Sequence, residues 1–138
     1  MSQYVTFMLD GSLYGIDVVR VQEALRAHSR TRVPLAPPTI AGLVNLRGQV
    51  VLTIDLRTRL GLAARNELAE PMMVVVQVAG EAVSLLVDEI GDVVDVGPGS
   101  FETPPDTLDP AVRPLIRGAH KLDAGLLLVL DVDQAVAA

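Results

Sequence analysis

"IAGLVNLRGQVVLTIDLRTRL", residues 40–60, has a counterpart further along the chain: "IRGAHKLDAGLLLVLDVDQAV", residues 116–136. Ile40 aligns with Ile116, Gly42 with Gly118, Leu46 with Leu122 and Asp55 with Asp131. The apolar positions 50, 51, 52, 54, 56 and 60 also meet apolar residues. Each stretch holds two apolar runs around a short bend, Arg47-Gly48 in one and Ala124-Gly125 in the other. That pattern predicts a β-hairpin in each, because a left-handed turn residue followed by glycine suits the right-handed twist of the strands.

The same comparison extends upstream. "YVTFML" and "SLYGIDV" flank Asp10-Gly11, while "MMVVVQV" and "AVSLLVDEI" flank Ala79-Gly80. Asp17 then falls near Asp88 after a small gap. Paired hairpins in the same order predict an internal duplication. The expected units are about 4–62 and 73–136, each with about five strands curled into a small barrel. Units of ~65 residues bury little surface and are marginal alone. They are expected to pack together over a shared seam, leaving a groove between them.

Composition agrees with a mainly β fold. Half of the 138 residues are hydrophobic, and only Tyr4, Phe7, Tyr14 and Phe101 are aromatic. The apolar set is mostly Val, Leu, Ile and Ala, and the branched members fit a pleated surface. Prolines at 34–38 and 104–114 predict loops or strand edges. Helical signal is thin: "VVRVQEALRAH" predicts one or two turns capped by Asp17, and "RTRLGL" and "DQAVAA" one turn each. Asp55 and Asp131 recur at the ends of long apolar runs, where a carboxylate caps the following turn.

Charge is uneven. Residues 1–70 hold eight arginines against six acids, and residues 71–138 hold three basic residues against eleven acids. A single lysine, few aromatics and a net charge of -6 argue against a nucleic-acid ligand. A molecule with two differently charged ends suits protein partners. Cysteine is absent, so disulfides, thiolate metal sites and cysteine nucleophiles are excluded. The N-terminus lacks the basic and apolar regions of a signal peptide, and no apolar run approaches the roughly 18 residues of a membrane span. The expectation is a cytoplasmic protein with no direct membrane insertion.

Catalytic patterns are missing. His28 and His120 stand in no metal-binding spacing, beside arginines or a lysine, and are read as surface histidines. No serine sits in a nucleophile elbow. "GPGSF" (97–101) lacks the lysine of a phosphate loop, and its proline removes an N–H. The acid pairs Asp131/Asp133 and Asp92/Asp95 offer too few oxygens for calcium. No enzyme, metal or cofactor is expected. What remains are polar positions at which the two copies differ. Arg47 aligns with Asp123 and Asn45 with Lys121. The second copy bends with the opposite charge, so the turn does not require arginine. Arg47 is therefore a candidate binding residue, held on a stiff hairpin and aimed at a groove.

The stretches "YGIDVVRVQEAL" (14–25), "RVPLAPPTIAGLVNLRGQVVLTIDLRTRLGL" (32–62), "VSLLVDEIGDVVDV" (83–96) and "KLDAGLLLVLDVDQ" (121–134) resemble the CheW family of chemotaxis coupling proteins. They also resemble the related regulatory domain of CheA histidine kinases. The match runs from about residue 4 to 136 in the family's order. The resemblance implies one CheW-like domain over 1–138, built of two packed five-stranded, SH3-like β-barrels with short helical turns. It implies a non-enzymatic adaptor joining methyl-accepting chemoreceptors to the CheA kinase, in cytoplasmic arrays that also hold other CheW-like domains. The receptor tip would lie in the groove between barrels, on Val21, Glu23, Ala24, Gly42, Asn45, Arg47 and Met73. The kinase regulatory domain would dock on Thr31, Val33 and Leu35.

The chain departs from the family at Ala24, where a bulkier residue is usual, and at Ser84, where glycine is common. It stops at "VDQAVAA", so any longer C-terminal helix is expected to be missing or short, and neither the receiver-bearing CheV type nor a whole kinase is expected. Alternative readings are an adaptor of a paralogous pathway, controlling pili or gene expression, and a small β-barrel ligand-binding domain.

Overall fold

The structure, a computed structural model, describes every residue except Met1, His28, Glu67, Pro98, Ala124 and Ala138. The strands are β1 (Ser2–Leu9), β2 (Ser12–Asp17), β3 (Val21–Arg26), β4 (Ile40–Leu46), β5 (Gln49–Asp55), β6 (Met72–Val78), β7 (Glu81–Val87), β8 (Glu89–Val96), β9 (Phe101–Glu102), β10 (Ile116–Leu122) and β11 (Gly125–Leu130). Two short helices, α1 (Leu56–Arg59) and α2 (Val132–Val136), follow β5 and β11. Asp55 and Asp131 cap them as expected, accepting from the Arg57 and Gln134 amides at 3.0 and 3.1 Å. The described prolines lie outside the strands, and all but Pro114, which sits in a 3-10 turn at Arg113–Leu115, fall in loops. Among the described residues no helix is long and apolar enough to cross a membrane.

The segment read as helical is mostly strand. Asp17 does cap a turn, accepting from the Val19 amide at 3.1 Å, but that turn is a 3-10 helix of only Val18–Arg20. β3 follows at once and pairs antiparallel with β6. Helix-favouring Glu23, Ala24 and Leu25 are overridden by the free edge of β6, whose backbone groups need partners.

The strands form a five-stranded sheet, β3-β6-β7-β5-β4, and a six-stranded sheet, β8-β1-β2-β11-β10-β9. The duplication maps β1 onto β6, β2 onto β7, β3 onto β8, β4 onto β10 and β5 onto β11. Under that mapping the first sheet reproduces the second, except for the two-residue β9. Its registers agree too: the parallel pair Leu52↔Val83 corresponds to Leu128↔Tyr14, and the bulge at Ile40/Gly42 to that at Ile116/Gly118.

The sheets do not divide at 4–62 and 73–136. One runs continuously from 21 to 87, and the other is assembled from both chain ends. β2 takes β11 as its parallel neighbour, while β5 takes β7. Because β5 and β11 are repeats of each other, the exchange keeps every kind of pairing. It interlocks two units that would be marginal apart.

Each sheet curls around its own core. Val44, Leu46, Val51, Met73, Val75 and Leu86 fill the first, with Leu25 packed against them. Tyr4, Val96, Leu127 and Val129 fill the second. A larger core lies between the sheets, built from Phe7, Tyr14, Ile16, Leu128 and Leu130 on one side and Ile54, Val74, Val76, Val83 and Leu85 on the other. This is the shared seam.

His120 is not a surface histidine. It is 3 % exposed, on the inner side of β10. The repeat places it where the first sheet has Val44, an apolar position. His28 lies outside the described residues.

Candidate functional site

Arg47 and Gly48 close the β4–β5 hairpin with φ of 53° and 83°. Asp10-Gly11 and Ala79-Gly80 use nearly the same angles. These are two-residue turns with both central φ values positive, the kind that matches strand twist. Asn45 belongs to the turn as well, because its Oδ1 accepts from the Gly48 amide at 3.0 Å. The fold therefore accounts for Asn45, which the sequence set apart only by its difference from Lys121.

The Arg47 side chain crosses to β3. Its two terminal nitrogens donate to the two Glu23 carboxylate oxygens at 2.5 and 2.9 Å. The fork matches the carboxylate, and its hydrogen bonds to Glu23, reinforced by the Glu23 charge, raise the Arg47 pKa. β3 and β4 are the two edges of the five-stranded sheet. The pair therefore spans the opening through which that sheet curls shut. Glu23 is mostly covered and Arg47 mostly exposed, so the cationic end faces outward.

The other expected receptor residues divide by exposure. Ala24 is exposed on β3, beside half-buried Val21, which packs on the core between sheets. Gly42 is buried at the β4 bulge with φ of 140°, and a Cβ there would come within 2.6 Å of the Thr31 carbonyl oxygen. Met73 is 0 % exposed inside the first barrel, so its side chain presents no surface to a partner. Its place is structural: it lies directly across from Leu25 and braces β3 from within.

Thr31 joins β4 by two 2.8 Å backbone bonds with Leu43. Val33 is half-buried, and Leu35 is fully exposed at a φ of 65°. A leucine held left-handed and in water is unusual, since its Cβ crowds the backbone there. The structure brings this segment against Gly42, so the two expected docking sets touch at Gly42 and Thr31.

A second charged group was not singled out from the sequence. Arg57 donates to Asp88 from Nε at 2.9 Å and Nη2 at 2.7 Å, and Arg65 Nε approaches the same carboxylate at 3.2 Å. The Asp10 amide adds a bond at 2.9 Å. The Arg57 hydrogen bonds are the largest cause holding the Asp88 pKa down at about 2, against the opposing effect of its burial. Asp88 lies between β7 and β8, where the chain passes from one sheet to the other. At the other crossing Arg20 holds Asp133 at 2.7 Å. Arg57 and Asp133 are repeat partners, so the two crossings carry ion pairs of reversed sign. The near alignment of Asp17 with Asp88 was the only sequence signal.

Among the described residues no cluster of histidine, aspartate and glutamate could hold a metal. What the described surface does offer is an exposed arginine beside the exposed side chains of Ala24 and Leu35.

Comparison with known proteins agrees with this character. The description "CheW-like domain" matches residues 3–138. The chemotaxis protein CheW of Bacillus subtilis is 32 % identical over 129 residues, covering 94 % of this chain and 83 % of that one. The CheW of Treponema pallidum is 29 % identical over 134 residues, with 94 % and 79 % covered. The crystal structure of the scaffolding protein TtCheW from Thermoanaerobacter tengcongensis superposes with a TM-score of 0.88 at 29 % identity, covering 99 % of this chain and 93 % of that one. The family consists of non-enzymatic scaffold proteins of chemotaxis. By its match along nearly the whole chain and by its fold, this chain belongs to the CheW family.

Proposed function

We propose that this chain couples the cytoplasmic tip of chemoreceptors to a CheA-type histidine kinase. The observation that carries the reading is the outward-facing Arg47, fixed by Glu23 across the mouth of the first barrel. A receptor tip is a helical hairpin, and it needs a trough with apolar anchors and a few placed charges. Val21 and Ala24 line β3 beside that charge, and their small size allows close approach. Gly42, deep in the bulge, acts by letting Thr31 lie close rather than by touching the receptor. The kinase regulatory domain docks on Thr31, Val33 and Leu35, where a proline-stiffened loop lowers the ordering cost of binding.

Charge supports assembly into arrays with other CheW-like domains. Residues 18–87, which hold the first sheet, carry eight arginines against five acids. Residues 2–17 and 88–137, which hold the second, carry three basic residues against twelve acids. Opposite ends of neighbouring copies attract each other.

The test is co-sedimentation with receptor tips and, separately, with the kinase regulatory domain. Arg47→Glu is expected to lose the receptor and keep the kinase domain, while Leu35→Asp does the reverse. The repeat-mate control Asp123→Arg should keep both. Full receptor binding by Arg47→Glu, with loss in Asp123→Arg, overturns the assignment.

A further inference from the structure

We propose that His120 is an acid-sensitive latch on the β9 edge of the six-stranded sheet. Neutral, its ring holds Ser100 and Phe101 against β10; protonated, it lets them go and frees the β10 edge.

The imidazole is almost wholly buried between three elements. The Phe101 ring meets it edge-on at 5.1 Å, and the Tyr4 ring lies tilted at 5.3 Å. Nδ1 is 2.8 Å from Ser100 Oγ, and Nε2 is 3.3 Å from the Tyr4 hydroxyl. Ser100 Oγ donates its own proton to the Gly97 carbonyl at 2.9 Å, so it accepts from Nδ1–H. That assigns the tautomer: Nε2 carries the lone pair and accepts from Tyr4. A proton added at Nε2 would turn the Tyr4 hydroxyl from donor to acceptor and leave a buried cation.

Among the described residues only a hydrogen bond to the Ser100 backbone favours that charge, and burial outweighs it. On β1 the titratable contact is Tyr4, which supplies a hydroxyl. On β9 and β10, Glu102 and Lys121 pair with each other at 3.5 Å in solvent. On β8, Asp95 is exposed, and β11 contributes leucine and valine. No carboxylate among the described residues reaches the imidazole. Burial accordingly holds its pKa below the usual histidine value.

What the ring holds is slight. β9 is two residues long, and it pairs only through Ala119↔Glu102 and His120↔Phe101. Phe101 also rests on Gly118, where any side chain would overlap its ring. An edge strand this short opens locally at low cost. The first sheet is a built-in control. There Thr31↔Leu43 occupies the place of β9, and Val44 the place of His120. The same short edge exists without a titratable group beneath it.

Amide exchange on the intact protein, corrected for intrinsic rates and measured from pH 7.5 to 5, tests the latch. Phe101, Glu102, Ala119 and His120 should lose about tenfold or more of their protection as the imidazole titrates, while Thr31 and Leu43 keep theirs. His120→Val, which copies the first sheet, should hold protection at both ends of the range. Phe101→Ala retains the imidazole and admits water, so the transition should move to higher pH. The proposal is overturned if protection falls equally at Thr31 and Leu43. It is also overturned if the loss persists in His120→Val, or if Phe101→Ala leaves the transition where it was.

Discussion

Arg47 and Glu23 stand on opposite edges of one sheet, four strands apart in pairing order, and yet share a two-pronged ion pair. The contact exists because the sheet curls until β3 and β4 face each other over Met73, Val75 and Leu86. The residue proposed for docking is thus also the residue that ties the barrel mouth. A partner carboxylate reaching Arg47 would compete with Glu23, so the proposed docking and closure of the mouth would share one charge.

That sharing separates stability from binding. Arg47 is mostly exposed, so Arg47→Glu is expected to shift the denaturation midpoint only slightly, through repulsion from Glu23. Adding Glu23→Arg should restore the midpoint, because the pair is re-formed with its charges exchanged. Receptor binding should not return in the double variant, since the outward charge remains reversed. Recovery of co-sedimentation by the exchanged pair would show that closure of the mouth, and not the presented charge, is what the receptor needs.

Asp88 makes a pH prediction at the crossing between sheets. Its folded carboxyl titrates at about 2, below the ordinary 3.8, so the fold favours the charged form. The resulting stabilisation is complete above about pH 5 and disappears as pH falls toward 2. The side chain is 21 % exposed, and solvent screening brings the contribution to about 1–2 kcal/mol. Asp88→Asn should flatten stability against pH across that window. At neutral pH it should cost more, about 2–4 kcal/mol, because Arg57 and Arg65 are left largely buried without their shared carboxylate. Denaturant midpoints from pH 7 to 2 measure both effects.

Much of this architecture was legible in the chain because it is local. A hairpin is written in a few consecutive residues, and Asp10-Gly11, Ala79-Gly80 and Arg47-Gly48 spell three of them. The caps Asp55 and Asp131 were legible for the same reason. The parallel joints β2–β11 and β5–β7 were not, because each strand has two equivalent partners and no nearby residue chooses between them. Met73 and Gly42 were expected on a docking face, and both are buried. A family position shows that a residue matters there, not whether it acts by contact or by support. His120 could have been placed by the repeat, which aligns it with Val44.

The paired caps give a graded prediction. Asp131→Ala removes the bond to the Gln134 amide and should cost about 1 kcal/mol. Asp55→Ala loses the equivalent bond and also the approach of Arg65 at 3.7 Å, so it should cost more. Asp131→Asn should keep most of its stability, since the amide oxygen still accepts. Asp55→Asn should not, because Arg65 is mostly buried and depends on nearby charge. Equal losses for the two asparagine variants would mean that Arg65 draws nothing from Asp55.

Gly42 and Gly48 separate conformational strain from collision. Both have positive φ, 140° and 83°. At Gly48 a Cβ meets nothing within 4 Å, so Gly48→Ala carries only the cost of a left-handed backbone, about 1 kcal/mol. At Gly42 the Cβ would press on the Thr31 carbonyl in a region that L-residues seldom occupy, which together should cost about 2–4 kcal/mol. Relief comes only by moving Thr31, whose bonds to Leu43 place the segment that carries Val33 and Leu35. Gly42→Ala should therefore weaken kinase-domain binding as well as the fold, while Gly48→Ala leaves that binding unchanged. Denaturant midpoints and kinase-domain affinity for the two variants decide it: equal affinities would mean that the Thr31 segment docks wherever it is displaced.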